Sequence, residues 1–249
     1  MYIKSTNSTN TLLKELLAKG EWPEGERYLY AGFQTAGRGQ TGNGWESEEG
    51  KNLLCTIPLA VSHWPLTVGP FYLNVLVSVA VHKTVSELGI SELAIKWPND
   101  IYWQDKKVAG ILVENAIVGN ELKYSIAGIG LNVNQTEWHS DAPNPVSLKQ
   151  IAGKNYNLDA LMQQLYEHVQ KAQNEDVWAY YKAHLYRREG FWPFVERTVS
   201  TAPTMNASTG AQGQFLARIE DVLPTGELVL RDQQNQQRIV HFKQIRYVV

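Results

Sequence analysis

The stretch LAIKWPNDIYWQDKKVAGILVE, residues 93–114, predicts the centre of the fold. Apolar runs rich in β-branched and aromatic residues alternate in it with short polar or proline-containing turns, which is the pattern of consecutive β-strands. A further apolar run follows the turn at Gly119-Asn120. These segments predict strands of one sheet, covering residues 93–97, 101–103, 107–113 and 124–134.

Helical and strand patterns on either side of this segment predict an α+β architecture. Four leucines between positions 12 and 17 share one helical face. Ser8, Thr9 and Asn10 come just before them and are all favoured N-cap residues. Further strands are expected at 28–33 and 53–59, and further helices at 71–88, 158–173 and 177–186. The order of these elements is typical of a mixed β-sheet flanked by helices.

The C-terminal part of the sequence has a different texture. After about Trp192, short apolar runs alternate with polar turns such as Pro224-Thr225-Gly226. We expect a catalytic domain over residues 1–192 and a small β-domain, a barrel or a sandwich, over residues 193–249. So small a domain has little core of its own, so it should dock on the main body.

Composition and charge narrow the classes of function. The chain has 249 residues, a net charge of −2, six scattered histidines and a single cysteine, Cys55. An acidic balance disfavours nucleic-acid binding, and one cysteine excludes an internal disulfide and a cysteine-based metal site. The N-terminus has no apolar signal core, and no apolar run reaches the roughly 20 residues that a membrane span needs. We therefore expect a cytoplasmic protein that binds neither DNA nor a membrane.

The segment QTAGRGQTGNGW, residues 34–45, carries the densest chemical signal. Its four glycines allow the backbone to approach a ligand closely and to present successive N–H groups to an anion. Arg38 adds a guanidinium suited to phosphate, and Trp45 supplies a flat apolar wall. The segment is neither a Walker loop nor a dinucleotide-binding turn. A solvated glycine-rich hairpin would show the same residues, so this segment alone leaves both interpretations open.

Two further motifs put unusual residues into strands. Lys96 ends the apolar run Leu93-Ala94-Ile95, where a charge is costly unless it is paired or meets a ligand anion. Gly128 and Gly130 interrupt a later strand, which marks a bulge or the close approach of a ligand. An edge lysine that faces water and a simple bulge are the alternatives, and each motif alone leaves them open.

Taken together, these motifs resemble the catalytic domain of biotin–protein ligases over essentially the whole chain. The resemblance depends on five segments in order: Ser8-Thr9-Asn10, residues 34–42, Lys96–Asp100, Lys107–Glu114 and Gly128–Asn134. Lys-Trp-Pro-Asn-Asp followed by Gly-Ile-Leu-Val-Glu is a specific combination that chance would not produce. The resemblance implies the class II synthetase-like fold of the biotin/lipoate ligases, with an SH3-like β-barrel at the C-terminus.

The activity implied by this resemblance is ATP-dependent ligation in two steps. The carboxylate of biotin would attack the α-phosphorus of ATP, which gives biotinyl-5′-AMP and pyrophosphate. A lysine of a biotin carboxyl carrier protein domain would then attack the mixed anhydride. Mg²⁺ is expected as bridging charge on the phosphates, although no carboxylate cluster in the sequence identifies its ligands. The sequence is compatible with a monomer or a homodimer and does not identify the acceptor protein.

The resemblance also assigns roles to individual residues. Lys96 and Arg38 would be catalytic through charge stabilisation rather than covalent chemistry. The expected biotin-binding residues are Ser8, Thr9, Asn10, Gln34, Gly37, Gly39, Gln40, Trp45, Ile101 and Gly110. The expected ATP- and adenylate-binding residues are Arg38, Gly39, Gln40, Lys96, Asn99, Gly130, Asn132 and Trp138. The loop over residues 35–52 should close over the adenylate and exclude water from the anhydride.

The chain departs from the family pattern in two respects. Gln40 and Asn43 stand where arginines are common, so we expect weaker electrostatic closure of the loop over the adenylate. The first motif begins at residue 8, so we expect a form without the N-terminal DNA-binding domain of some members. Two further cations are interpreted separately. Lys107 is expected at a solvated hairpin tip, although it matches a family position. Arg246 is expected to be a surface residue that could reach ATP phosphates.

Three other functions compete with this hypothesis. A lipoate–protein ligase would share the chemistry, but lipoate has no ureido group for Ser8, Thr9 and Gln34 to bind. A non-catalytic sensor of biotin or its adenylate would not need Lys96. Nucleic-acid binding through the small β-domain is disfavoured by the acidic net charge.

Overall fold

The computed structural model describes residues 1–40, 43–60, 69–119, 121–196 and 213–248. Its helices are α1 (Thr9–Lys19), α2 (Phe71–Ser86), α3 (Leu148–Ala152), α4 (Leu158–Ala172) and α5 (Trp178–Ala183). Its strands are β1 (Tyr2–Thr6), β2 (Leu29–Gln34), β3 (Leu53–Leu59), β4 (Leu93–Lys96), β5 (Asp100–Trp103), β6 (Lys106–Val118), β7 (Glu121–Leu131), β8 (Trp192–Glu196), β9 (Gln214–Val222), β10 (Leu228–Asp232), β11 (Gln237–Val240) and β12 (Ile245–Tyr247).

The main sheet has seven strands in the order β1-β2-β3-β7-β6-β5-β4. Only the pair β1–β2 is parallel, so the sheet is mixed, as the sequence predicts. Helix α2 is buried on most sides because its sequence is apolar almost all round, and it packs against α4 and β6. Helix α1 packs instead against β2, β3 and β7, which brings its N-terminus to the centre of the sheet.

The second sheet has five antiparallel strands in the order β11-β10-β9-β8-β12, in agreement with the predicted small β-domain. Its apolar residues continue the core of the main body without a break. The indole Nε1 of Trp97 donates a hydrogen bond of 3.0 Å to the carbonyl of Gly226. Arg187 donates one of 2.6 Å to the carbonyl of Val248. The small domain is therefore docked on the main body. That the boundary between the two domains lies at residue 192 stays a prediction.

Three local features differ from the sequence-based expectation. Strand β1 was not predicted, because its polar sequence Tyr-Ile-Lys-Ser-Thr pairs with only one neighbour and needs little apolar surface. Helix α3 is a single short turn stabilised by a capping box between Ser147 and Gln150. Strand β6 extends further than predicted, whereas β7 begins and ends three residues earlier than predicted, and the two pair along most of their length. Within the described residues, no helix is long and apolar enough to cross a membrane.

A buried histidine lies between α2, β4 and α5. His82 is 3% exposed, and its ring nitrogens lie 3.0 Å from the hydroxyl of Tyr180 and 3.3 Å from the carbonyl of Leu93. The ring of His184 is 4.8 Å away between centroids. Burial is the main cause that lowers the pKa of His82 from 6.5 to about 4, and the charge of His184 acts in the same direction.

We expect this histidine to make the fold sensitive to acid. Because its pKa is lower in the folded than in the unfolded chain, the unfolded chain takes up the proton first, and stability is lost as the pH falls from 6.5 towards 4. The loss should be on the order of 2 kcal/mol by about pH 4.5. Urea unfolding of wild type and His82→Gln at several pH values measures it. An equally steep loss in His82→Gln, or a flatter one in the exposed control His139→Gln, would contradict the assignment.

Candidate functional site

The predicted site residues converge on one cavity of about 510 Å³ between the main sheet, the glycine-rich loop and the small domain. Of the predicted residues, those that line it are Ser8, Thr9, Asn10, Gln34, Arg38, Gly39, Gln40, Trp45, Lys96, Asn99, Gly110 and Gly130. A second cavity, of about 910 Å³, shares the wall formed by Trp45 and is lined by Gly37, Asn132 and Trp138. The two cavities are therefore neighbours, and Gln34, Trp45 and Lys107 line both of them.

The floor of the main cavity is a patch of strand backbone without side chains. Gly110 and Gly130 are cross-strand partners on β6 and β7, and the indole of Trp45 lies directly on both. A Cβ at Gly130 would lie 2.7 Å from Cζ2 of Trp45, and one at Gly110 would lie 2.7 Å from Cζ3. Gly128, two residues before Gly130 and on the same face, leaves room for Asn10. The glycines are thus required by the close approach of two side chains.

The glycine-rich loop folds back on itself and forms one wall of the cavity. Gly39 N–H donates to the carbonyl of Asn43 at 2.9 Å, and Trp45 N–H donates to the carbonyl of Gly37 at 3.0 Å. Gln40 donates from Nε2 to Oδ1 of Asn99 at 3.0 Å, which links the loop to the Lys-Trp-Pro-Asn-Asp motif. Gln40 therefore makes a neutral contact where an arginine would bring charge. Residues 41 and 42, including the predicted Gly42, lie outside the described residues.

The N-terminus of α1 forms an adjoining wall, in direct contact with the loop. The backbone N–H and the hydroxyl of Thr9 both donate to Oε1 of Gln34, at 2.8 and 3.0 Å. Asn10 accepts from the hydroxyl of Thr56 at 2.6 Å and is 3% exposed. Ser8 is the N-cap residue and is 5% exposed, but its side chain does not cap the helix. A set of oriented polar groups thus lies at the cavity wall with little contact to water.

Arg38 is held at this wall by a carboxylate on β6. Its guanidinium donates to the hydroxyl of Thr11 at 3.0 Å and lies 3.6 Å from Glu114. Glu114 also accepts from Lys14 and Asn10, each at 2.7 Å. Burial acts to raise the pKa of Glu114, but these hydrogen bonds and the nearby cations outweigh it and lower the pKa. The carboxylate therefore stays charged and ties the loop to α1.

Lys96 reaches the cavity from the last position of β4. Its ammonium donates a hydrogen bond of 2.9 Å to the hydroxyl of Tyr102. Burial is the main cause that lowers the pKa of Lys96 to about 8; the charge of Asp100 opposes this effect, and that of Lys107 adds to it. Lys107 itself forms an ion pair of 2.8 Å with Asp100. The edge-strand alternative, in which Lys96 faces water, does not describe this environment.

Two sequence-based assignments, those of Ile101 and Lys107, do not match the geometry, and the geometry adds to a third. Ile101 is fully buried and lines neither cavity, because alternation along β5 turns it away from the face that carries Asp100 and Tyr102. Lys107 is not at a solvated hairpin tip: it lines both cavities. Arg246 is exposed, as expected of a surface residue, yet it also lines the main cavity.

The small domain contributes cavity residues that sequence reasoning missed. They are Phe242, Lys243, Ile245 and Tyr247. They lie more than 130 residues after the Lys-Trp-Pro-Asn-Asp motif and carry no motif of their own, so only the docking of the small domain reveals them.

Asn132 was predicted to bind adenylate, but its Nδ2 donates to the carbonyls of Lys107 and Val146. Its Oδ1 is buried without a partner among the described residues.

The fold and the two cavities together define an α+β ligand-binding domain with a docked β-domain. The sequence model of the biotin/lipoate A/B protein ligase family matches residues 2–132, more than half of the chain. The chain belongs to this family.

Individual relatives are similar over much of this chain but are longer. The bifunctional ligase/repressor BirA of Escherichia coli is 29% identical over 196 residues, which are 77% of this chain and 55% of that protein. BirA of Bacillus subtilis is 35% identical over 170 residues, 66% of this chain and 50% of that protein. The biotin--[acetyl-CoA-carboxylase] ligase of Mycobacterium tuberculosis is 33% identical over 149 residues, 59% of this chain and 53% of that protein. The chain thus spans about half the length of these curated relatives.

Solved structures share the whole fold. The biotin protein ligase of Aquifex aeolicus in complex with biotin and ATP superposes with a TM-score of 0.76 at 20% identity, covering 100% of this chain and 98% of that one. The biotin protein ligase of Leishmania major in complex with biotinyl-5-AMP gives a TM-score of 0.63 at 20% identity, covering 96% and 97%. At this identity, the likeness is one of fold.

Proposed function

We propose that the protein is an ATP-dependent biotin–protein ligase. It forms biotinyl-5′-AMP from biotin and ATP and transfers biotin to a lysine of a biotin carboxyl carrier protein domain. The observation that carries the proposal is that Arg38, Lys96, the glycine floor and the polar wall of α1 line one cavity. The relatives that are named biotin ligases, and the neighbours solved with biotin, ATP or biotinyl-5-AMP, support the same assignment.

Biotin is proposed to bind between the N-terminus of α1 and the indole of Trp45. Its ureido ring buries one carbonyl and two N–H groups, and each of them costs on the order of 1–3 kcal/mol if it is left without a partner. Ser8, Thr9 and Gln34 place two hydroxyls and an amide at one wall of the cavity, and the ureido ring would replace the hydrogen bond that the Thr9 hydroxyl makes to Gln34. Trp45 would cover the apolar rings, and Gly110 and Gly130 leave room for its indole against the sheet.

Charge stabilisation is proposed as the main contribution to both half-reactions. The carboxylate and the α-phosphate are both anionic, so their approach needs cations at the point of contact. Lys96 would place its ammonium there, and Arg38 would bind the oxygens that surround it. The same groups would stabilise the charge that develops when the acceptor lysine attacks the anhydride. Exclusion of water by the loop would keep the anhydride from hydrolysis.

The adenine end of ATP is proposed to occupy the second cavity. Asn132 and Trp138 line this cavity, and the indole of Trp45 lines both it and the cavity proposed for biotin. The buried Oδ1 of Asn132, which has no partner among the described residues, could accept from an adenine or ribose donor. Trp138 is half-buried and offers a stacking surface.

Mg²⁺ is proposed to enter as part of the ATP substrate. Among the described residues there is no group of three or more His, Cys, Asp or Glu side chains that could hold a metal ion. A Mg²⁺ ion that keeps several waters and bridges substrate phosphates needs few protein ligands. The small number of candidate ligands among the described residues is compatible with such an ion. Its role would be to neutralise the pyrophosphate that leaves.

The acceptor is proposed to be a carrier domain of a biotin-dependent carboxylase, and the compartment the cytoplasm. The lysine of the acceptor must reach the carboxyl end of biotin, so the carrier should dock at the mouth of the main cavity, where the small domain also lies. Cys55 is buried and free, as expected in a reducing compartment. No binding of DNA is proposed for this chain.

One assay tests the proposed function against its rivals. The protein is mixed with labelled biotin, ATP, Mg²⁺ and a carrier domain, and label on the carrier is measured together with released pyrophosphate. We expect biotin-dependent pyrophosphate release and stoichiometric labelling of the carrier. Lipoate in place of biotin distinguishes the lipoate ligase: faster release with lipoate would refute the proposal. Tight biotin binding without any pyrophosphate would identify a sensor instead.

Closure of the loop leads to a separate prediction. Backbone amides of residues 35–40 and 43–52 should exchange with solvent at least about tenfold more slowly once biotin and ATP have formed the adenylate, because ligand contacts stabilise the closed loop. Hydrogen-exchange mass spectrometry measures this, with β9 and β10 of the small domain as an internal reference. Equal exchange of the loop with and without ligand would rule out closure.

A further inference from the structure

We propose that Tyr102 and Tyr247 form an aromatic cage that positions the ammonium of Lys96, so that the small β-domain completes the catalytic centre. The role of Lys96 in the reaction rests on the proposed function, whereas the contacts of the cage do not. Tyr102 lies on β5, next to Lys96 in the sheet, and Tyr247 lies on β12 of the small domain. The two domains would thus share one catalytic group.

The geometry of the cage is defined by three distances. The ammonium of Lys96 lies 2.9 Å from the hydroxyl of Tyr102 and 4.4 Å from the centroid of the same ring. It lies 5.2 Å from the centroid of Tyr247. A cation within about 6 Å of a ring centroid is attracted by the negative face of the ring. Two rings and one phenol oxygen therefore restrict a side chain that is otherwise flexible.

Tyr247 is itself held by the core of the small domain. The residue is 7% exposed, and its ring packs at 5.0 Å from the ring of Phe194 and at 5.8 Å from that of Tyr186. The ring of Tyr186 continues to Tyr102 at 5.3 Å. Four rings thus connect the interior of the small domain to Lys96. Displacement of this domain would remove one side of the cage.

The charges around Lys96 come from several elements. Asp100 and Asp105 favour its charged form, whereas Lys107 and Arg187 oppose it. Burial has the largest effect and lowers the pKa of Lys96 to about 8. Two cations of the small domain also line the same cavity, namely Lys243 and Arg246. The surrounding charges thus act on the ammonium of Lys96 in both directions. The phenol oxygen of Tyr102 and the two ring faces contact the ammonium directly, and both kinds of contact favour its protonated state.

Removing a cage contact should therefore move the pH at which activity is lost. If Lys96 acts as an ammonium, the rate falls as the pH rises through its pKa. Tyr102→Phe keeps the ring but removes the hydrogen-bond acceptor, and Tyr247→Leu keeps apolar bulk but removes the ring face. Both substitutions disfavour the ammonium, so the alkaline midpoint should shift to lower pH, by about one unit for Tyr102→Phe and about half a unit for Tyr247→Leu.

The experiment measures biotin-dependent exchange of pyrophosphate into ATP from about pH 6 to about pH 10, together with the Kd of biotin. Phe215→Leu is the matched control, because Phe215 stacks on Phe194 in the same core and is not among the residues in contact with Lys96. We expect both cage variants to shift the midpoint with a biotin Kd within about twofold of wild type, and the control to leave the midpoint in place.

A titration that needs no activity keeps the two proposals separate. The ¹³Cε resonance of Lys96 in labelled protein, assigned by its loss in Lys96→Arg, reports the same pKa directly. Downward shifts of this pKa in Tyr102→Phe and Tyr247→Leu support the cage even if the wild type shows no biotin-dependent exchange, which would refute only the proposed function. An unchanged pKa in both variants, or an equal shift in Phe215→Leu, overturns the cage.

Discussion

Lys96→Ala should lower the rate of biotin adenylation by a factor of about 10²–10³ and change the Kd of biotin by no more than a few-fold. The reason is the position of the ammonium. It lies in the main cavity with Arg38, where the proposed reaction brings two anions together, and it forms its hydrogen bond with Tyr102 rather than with the α1 wall proposed for the ureido ring. Its charge matters most when the carboxylate approaches the phosphate.

Single-turnover formation of labelled biotinyl-5′-AMP measures this rate, and calorimetric titration measures the Kd of biotin. Lys106→Ala is the matched control, since Lys106 is an exposed lysine at the start of β6 and lines neither cavity. Lys96→Arg adds a test of geometry, because a planar guanidinium keeps the charge but is larger than the ammonium that lies between Tyr102 and Tyr247. A tenfold loss of biotin affinity in Lys96→Ala at an unchanged rate would assign the lysine to biotin binding instead.

Gly130→Ala should weaken biotin binding by roughly 10–100-fold. An added Cβ would lie 2.7 Å from Cζ2 of Trp45, closer than real Cβ atoms approach another heavy atom, so the indole must move. The indole lines both cavities, so its displacement would disturb both the wall proposed for biotin and the cavity proposed for adenine. The backbone of β7 cannot yield easily, because it pairs with β3 on one side and with β6 on the other.

A double-mutant cycle isolates this contact. Trp45→Leu removes the ring that meets the new methyl group, so Gly130→Ala should cost much less in that background than in wild type. The Kd of biotin is measured for all four proteins, and urea unfolding verifies that each remains folded. An equal cost of Gly130→Ala in both backgrounds would show that the methyl group acts on something other than the indole.

The local elements of this protein follow largely from its sequence. The leucines of α1, the almost uniformly apolar α2 and the strands around the Lys-Trp-Pro-Asn-Asp turn are found where their patterns predict them. Each of these depends on interactions between residues that are close in sequence, such as capping, turn chemistry and burial of one face. Strand β1 lacks an apolar pattern because it lies at the edge of the sheet, and a pattern-based prediction misses it for that reason.

Individual site residues were harder to predict when the direction of a side chain decided their role. Ile101 belongs to a motif segment, yet alternation on β5 buries it while its neighbours Asp100 and Tyr102 face the other way. Lys107 looks like a hairpin-tip lysine, but its backbone pairs with the segment at Pro145 and its ammonium turns back to Asp100. Family resemblance supplied the motif in both cases, and pairing of the strands supplied the orientation.

By itself, the sequence determined the set of chemical groups and most of the elements that carry them. It determined that glycines would leave strand backbone bare, that a loop would bring Arg38 and Trp45, and that one lysine would end an apolar strand. Only the tertiary structure decided that Tyr247 faces Lys96, that Glu114 holds Arg38, and that one indole lines two cavities. These contacts join residues far apart in the chain, and packing of sheet, loop and small domain creates them.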